Sequence, residues 1–186
     1  MSTISKLNYF KLAFLSKPKC DRLVYKKIAK NRYQSIVEVG IQNLARTQNI
    51  LRIAETFGLS GQIKYTGIDL FDGRPDSQPS LPLKMVHQSL KPLGAKIQLA
   101  PGDALQALNR IANSHLRTDL IIVSPDTDLE AMEQAWFYVP RMLHANSTVL
   151  IRSPKDPLGP FQTVGRLEIE RKADFESSQR RIVQAA

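Results

Sequence analysis

The sequence predicts an α/β protein with a doubly wound, mostly parallel sheet and a C-terminal antiparallel hairpin. Three observations carry that expectation. From residue 35 onward, short apolar runs alternate with segments of helical periodicity, the signature of successive βαβ units. Glycine, proline and aspartate punctuate the joins, where turns and helix caps need them. Charge is concentrated ahead of the first run, which separates a basic, helical arm at 1–34 from an α/β domain at 35–186.

The elements follow in order. Ser35-Ile36-Val37-Glu38-Val39-Gly40 reads as a buried strand, and Leu44, Ile50, Leu51, Ile53, Ala54 and Phe57 follow at helical spacing up to a stop at Gly58. Lys64 to Leu70 is a second strand, followed by a polar, proline-bearing loop through Pro82. A short helix spans Leu83 to Leu93 and closes at Gly94. Lys96 to Ala100 makes a third strand. Ala104 to His115 is an amphipathic helix that Asp103 is placed to cap. Asp119 to Val123 is a fourth strand, Asp128 caps a helix running to about Leu143, and Ser147 to Arg152 is the fifth strand. Ser153 to Pro160 is linker-like. Arg166 to Arg171 alternates as a strand would, with Arg180 to Gln184 as its antiparallel return.

Composition narrows the class. A chain of 186 residues with 42% hydrophobic and 23% charged side chains suits one globular domain and excludes a disordered or fibrous one. No apolar run approaches the roughly 18 residues that cross a bilayer, so no transmembrane segment is expected. Leu12-Ala13-Phe14-Leu15 is too short for a signal peptide and lies between lysines, which makes the cytoplasm the default location. The one cysteine, Cys20, rules out an internal disulfide and leaves no cysteine metal cluster. Within the net charge of +9, the first 34 residues hold nine basic side chains against the single acid Asp21. That arm either packs an apolar face, drawn from residues such as Ile4, Leu23, Val24, Tyr25 and Ile28, on the domain, or meets an anionic partner.

With these elements in place, the chain from about 35 to 186 resembles the class I S-adenosylmethionine-dependent methyltransferases, whose sheet is Rossmann-like. Val37-Glu38-Val39-Gly40, Gly67-Ile68-Asp69-Leu70-Phe71-Asp72-Gly73 and Val123-Ser124-Pro125-Asp126-Thr127-Asp128-Leu129-Glu130 are similar to segments of the small-molecule O-methyltransferases. The resemblance implies S-adenosylmethionine as cofactor, bound through Glu38, Gly40, Asp69 and Asp103, and a methyl acceptor that the sequence does not identify.

Each of these residues also has a physical reading. Gly40 lets the chain turn and approach a ligand closely. Asp69, at a strand end, is placed to accept two ribose hydroxyls, as the acid of dinucleotide folds does. Asp103 suits an adenine amino group and a helix cap together. Glu38 either orients the loop, meets the methionine ammonium or forms a structural hydrogen bond. Asp126 and Asp128 stand where the metal-using branch holds a hard cation, but the family's neighbouring glycine and histidine are absent. Capping and surface roles are expected of them, and no metal.

The first loop departs from the family pattern. Glu-x-Gly-x-Gly-x-Gly is usual, whereas this chain reads Glu38-Val39-Gly40-Ile41-Gln42-Asn43-Leu44. Gln42 and Leu44 stand in glycine positions. The loop also lacks the Gly-x-Gly-x-x-Gly of nicotinamide dehydrogenases. Two functions remain: a methyltransferase, or a catalytically degenerate module on the same fold whose basic arm contacts a partner. The histidines His87, His115 and His144 read as helix-end residues, and Trp136-Phe137-Tyr138 as core.

Overall fold

A computed structural model of the chain describes residues 5–58, 61–153, 155–156 and 159–185, with side chains through Gln179. Ile4 and part of the linker-like stretch, residues 154, 157 and 158, lie outside the described residues. Six strands form one sheet: β1 (Ser35–Val39), β2 (Lys64–Asp69), β3 (Lys96–Pro101), β4 (Thr118–Val123), β5 (Leu143–Ile151) and β6 (Gln162–Val164). Their order is β3-β2-β1-β4-β5-β6, parallel throughout except for β6, which pairs antiparallel with β5.

The central strands are apolar on both faces because both faces are covered. Ile36, Leu120, Ile122 and Leu150 point to one core, and Val37, Val39, Ile121, Val123 and Val149 point to the other. That split is the two-residue period of a strand. The first core is completed by α2 (Asp21–Asn31), α3 (Leu44–Phe57) and α4 (Leu83–Leu90). The second is completed by α5 (Ala104–Ile111), α6 (Leu129–Ala135), α7 (Val139–Met142) and α8 (Arg166–Ala185). The order of helices along the chain thus sorts them onto opposite faces of the sheet.

The arm folds against the first face. α1 (Lys6–Phe10) runs into a π-helical turn at Lys11–Leu15, and α2 then sends Val24, Tyr25 and Ile28 into the core. Lys6, Lys11, Lys17, Lys19, Lys26 and Lys30 remain exposed. No helix among the described residues is long and apolar enough to cross a membrane.

Two expectations change. The expected C-terminal antiparallel hairpin is present as β5 and β6, but it lies earlier than expected, and the tail from Arg166 to Ala185, where the sequence places its strands, is a helix. Arg166-Leu167-Glu168-Ile169-Glu170 alternates, but Ile169 and Ala173, four apart, are the residues that bury, while Leu167 is 71% exposed. A helical period therefore wins, seated beside Trp136. The expected helix from Asp128 to Leu143 is also broken. α6 gives way to a 3₁₀ turn at Trp136–Tyr138, and α7 restarts with Pro140, whose missing amide ends the preceding hydrogen-bond ladder. β5 then begins at Leu143, before the expected Ser147, with a register shift opposite Thr118–Leu120.

Candidate functional site

The strand order reverses between β1 and β4, and at such a switch point the loops leaving the two carboxyl ends part to leave a crevice. A cavity of about 340 Å³ occupies it, lined by Gly40, Asp69, Gly102, Asp103, Asp126 and Thr127 among others. Gly40 has φ of +80°, and a Cβ there would stand 2.7 Å from Thr127 Oγ1 and 3.2 Å from Ser124 Cβ. Any side chain would be strained and would collide with the β4 loop. Neither Gln42 nor Leu44 has a positive φ, while Asn43 is extended and its side chain caps α3 by accepting from Ala45 N at 2.9 Å. The loop therefore needs one glycine, and has it.

Asp69 ends β2 with all four of its lone-pair directions used. Oδ2 accepts from Ile41 N at 2.8 Å and Arg74 Nη2 at 2.7 Å. Oδ1 accepts from Arg74 Nε at 2.7 Å and Phe71 N at 3.1 Å. The bidentate pairing holds Arg74 above its ordinary basicity through the hydrogen bonds to Asp69. Arg74 also donates to Ile41 O at 2.6 Å and Pro79 O at 2.9 Å, which ties the β2 loop to the β1 loop. Asp103 caps α5, accepting from Gln106 N at 2.8 Å, and lines the cavity as well. Asp128 caps α6, accepting from Ala131 N at 3.0 Å, and Asp126 is exposed.

Of the four expected cofactor contacts, the structure brings Gly40, Asp69 and Asp103 to one cavity and leaves Glu38 beneath it. Glu38 is fully buried. Its Oε1 accepts from Arg46 Nη2 at 2.6 Å and Nε at 3.2 Å, and its Oε2 from Thr47 Oγ1 at 2.9 Å and Tyr65 Oη at 2.7 Å. Burial, and then the adjacent Glu38 carboxylate, push the Tyr65 phenol far up, so it stays protonated and donates. Burial alone would lower Arg46, but Glu38 and Asp21 more than offset it, and the guanidinium stays charged. Arg46 reaches on to Ser124 Oγ at 2.6 Å and Gly40 O at 3.4 Å. Glu38 thus shapes the loop through Arg46.

A second cavity of about 490 Å³ lies on the far side of Arg74, which lines both. Asp21 of the arm, Gln42, Asn43, Arg46 and Arg152 share its wall. Arg152, 2% exposed, donates through Nη1 to Cys20 Sγ at 2.6 Å and through Nη2 to Gln42 Oε1, with the Phe161 ring 5.0 Å away.

Sequence reading did not single out Arg46, Arg74 or Arg152. Two of them carry a signal. Arg46 sits four residues before Ile50, on the apolar face of α3, and Arg152 directly follows the apolar run Val149-Leu150-Ile151. Charges in such places are buried or misassigned. Arg74 lies in a loop without periodicity and carries no comparable signal.

The histidines stand apart from both cavities. His87 is exposed in the last turn of α4, His115 contacts Thr66 Oγ1 at 2.8 Å, and His144, within β5, pairs with Asp119 at 2.9 Å. Trp136 is fully buried in the second core.

No family model matches the sequence, and no curated protein matches it. Solved structures do. CalS11, a calicheamicin methyltransferase, superposes with a TM-score of 0.58 at 14% identity, covering 91% of this chain and 85% of that one. The Podospora anserina methyltransferase PaMTH1, solved with S-adenosylhomocysteine, gives 0.47 at 11% identity over 98% of this chain and 79% of that one. MycE, from the mycinamycin biosynthetic pathway and solved with Mg and S-adenosylhomocysteine, gives 0.46 at 16% identity over 84% of this chain and 37% of that one. At these identities the likeness speaks for the fold, and the strand order, the switch point and the CalS11 superposition agree: the chain has the class I S-adenosylmethionine-dependent methyltransferase fold.

Proposed function

We propose that this protein transfers a methyl group from S-adenosylmethionine to a small-molecule acceptor. One observation carries the reading: three strand ends, with Gly40, Asp69 and Asp103, converge on a single cavity at the switch point. The residues fit a nucleoside. Gly40 leaves the space that a Cβ would fill, Asp69 supplies acceptors for a ribose diol, and Asp103 an acceptor for an adenine amino group. The fit carries one condition. Since Asp69 already has four donors, Arg74 must give up its two bonds to that carboxylate when hydroxyls replace it.

Held there by Gly40, Asp69 and Asp103, the cofactor would supply a sulfonium methyl for in-line attack by an acceptor nucleophile, with S-adenosylhomocysteine as the leaving group. The chain's part is positioning, which alone accounts for a large share of such a barrier. Glu38 and Arg46 fix the β1 loop from below, and Thr127 Oγ1, donating to Val39 O at 3.1 Å, locks the β4 loop against it. No histidine lines the cavity, so the reading favours an acceptor that is already nucleophilic over one needing a histidine base.

Isothermal calorimetry with S-adenosylmethionine and S-adenosylhomocysteine tests this. Saturable heat is expected with wild-type protein, and Asp69→Asn should weaken it roughly tenfold to a hundredfold, as loss of charged hydrogen bonds does. Absence of heat at millimolar ligand sinks the reading.

A further inference from the structure

The second cavity has a charge pattern that the first does not explain. Three arginines and one acid line it. Arg46 is matched by Glu38 at 2.6 Å and Arg74 by Asp69 at 2.7 Å. Among the described residues no carboxylate bonds Arg152, although Asp21 on the same wall is close enough for the two charges to act on each other. None of the ion pairs among the described residues includes it, its two terminal nitrogens meet a thiol and an amide oxygen, and its Nε has no hydrogen-bond partner. A guanidinium withdrawn from water with no carboxylate bonded to it and one nitrogen unpartnered is costly, and a cavity beside it is where an anion would repay that cost. The N-terminal end of the fourteen-residue α3, at Asn43 and Leu44, faces the same space and adds its positive pole. Asp21 is the opposing charge. Burial pushes its carboxyl up from the ordinary range, with Arg46 and Arg152 pulling the other way. The Phe161 ring packs 5.0 Å from Arg152 and 5.8 Å from Arg46, holding both guanidinium groups in place.

We propose that this arginine-walled cavity binds the carboxylate or phosphate group of an acidic small molecule, and that this molecule is the methyl acceptor. The assignment to the acceptor rests on the methyltransferase reading of the neighbouring cavity; the anion site does not. Arg74, lining both cavities, then stands between donor and acceptor.

Thermal unfolding of the full chain tests it, with sodium phosphate or sodium succinate replacing sodium chloride at constant ionic strength. Either anion should raise Tm by about 3 °C at ten times its dissociation constant. Arg152→Met should abolish the shift. Should that variant fail to fold, Met85→Glu places a negative charge on the cavity wall at a side chain that is 39% exposed, and it should abolish the shift as well. No anion shift in wild-type protein, or an undiminished one in Met85→Glu, overturns the site. Saturation with S-adenosylhomocysteine then separates the two sources of a carboxylate. A succinate shift that persists supports a separate acidic acceptor. A shift lost with S-adenosylhomocysteine but retained with 5′-methylthioadenosine, which has no carboxylate, overturns the acceptor assignment in favour of the donor's own amino-acid group. If S-adenosylhomocysteine itself produces no shift while succinate does, the methyltransferase reading and the acceptor assignment fall and the anion site stands.

Discussion

The two cavities flanking Arg74 are built in opposite ways. The acid-lined one is shaped by backbone at Gly40 and Gly102, and its carboxylates sit at strand ends where each has a separable job. The arginine-lined one rests on a buried network in which Glu38, Arg46, Thr47, Tyr65 and Ser124 share their hydrogen bonds. Substitutions in the first should therefore read mainly as changes in ligand affinity, and those in the second as changes in folding. A coupled network of buried charges cannot lose one member without stranding another.

The largest effect is expected at Glu38→Gln, which leaves Arg46 short of its counter-charge. A loss of about 3–5 kcal/mol in urea unfolding is expected, and a loss under 1 kcal/mol would break the distinction between the two cavities. Gly40→Ala comes next. At φ of +80° and 2.7 Å from Thr127 Oγ1 it should lose about 1–3 kcal/mol of stability and also depress S-adenosylhomocysteine affinity, measured by calorimetry on the folded fraction. Arg74→Met sharpens the comparison. With the competing donor removed from Asp69, affinity for S-adenosylhomocysteine should rise about tenfold, equivalent to about 1.4 kcal/mol; a fall would mean that Arg74 serves the ligand directly. Asp103→Ala should cost about 1 kcal/mol of stability through the lost α5 cap, with weaker adenosine binding as the sign of its second role.

The smallest effect lies outside both cavities. Burial holds His115 below its ordinary value of 6.5, so the unfolded chain takes up the proton first as pH falls. Its contribution is present above about pH 6.5 and declines below it until the folded group titrates too. Urea midpoints at pH 7.5 and 5.5 should differ less in His115→Gln than in wild-type protein.

Much of this architecture was legible in the sequence, because strands and amphipathic helices write their burial into periodicity. Ile121-Ile122-Val123 and the face of Leu108, Ile111 and Ala112 needed no structure to place them. The tail was not legible. Over five residues a helix with one buried stripe alternates as a strand does, and only the burial of Ile169 and Ala173, four residues apart, decides between them. The first loop shows the same limit from the other side. Its missing glycines look like erosion in the sequence, yet Gln42 and Leu44 occupy ordinary backbone conformations and only Gly40 does not. Within this loop the backbone's own demand for glycine, set by φ and by the proximity of Thr127, falls on Gly40.

The clasp of Arg74 on Asp69 also carries a kinetic consequence. On the proposed function, the two charge-assisted bonds from Arg74 to Asp69 must loosen before a ribose diol is accepted there, and two more to Ile41 O and Pro79 O hold the arginine in place, so productive encounter waits on an opening of this clasp. A ligand that must wait in this way associates at a rate that stops climbing with its own concentration and levels off at the opening rate. On the proposed function, an opening slower than methyl transfer would make this one loop arginine the limit on turnover.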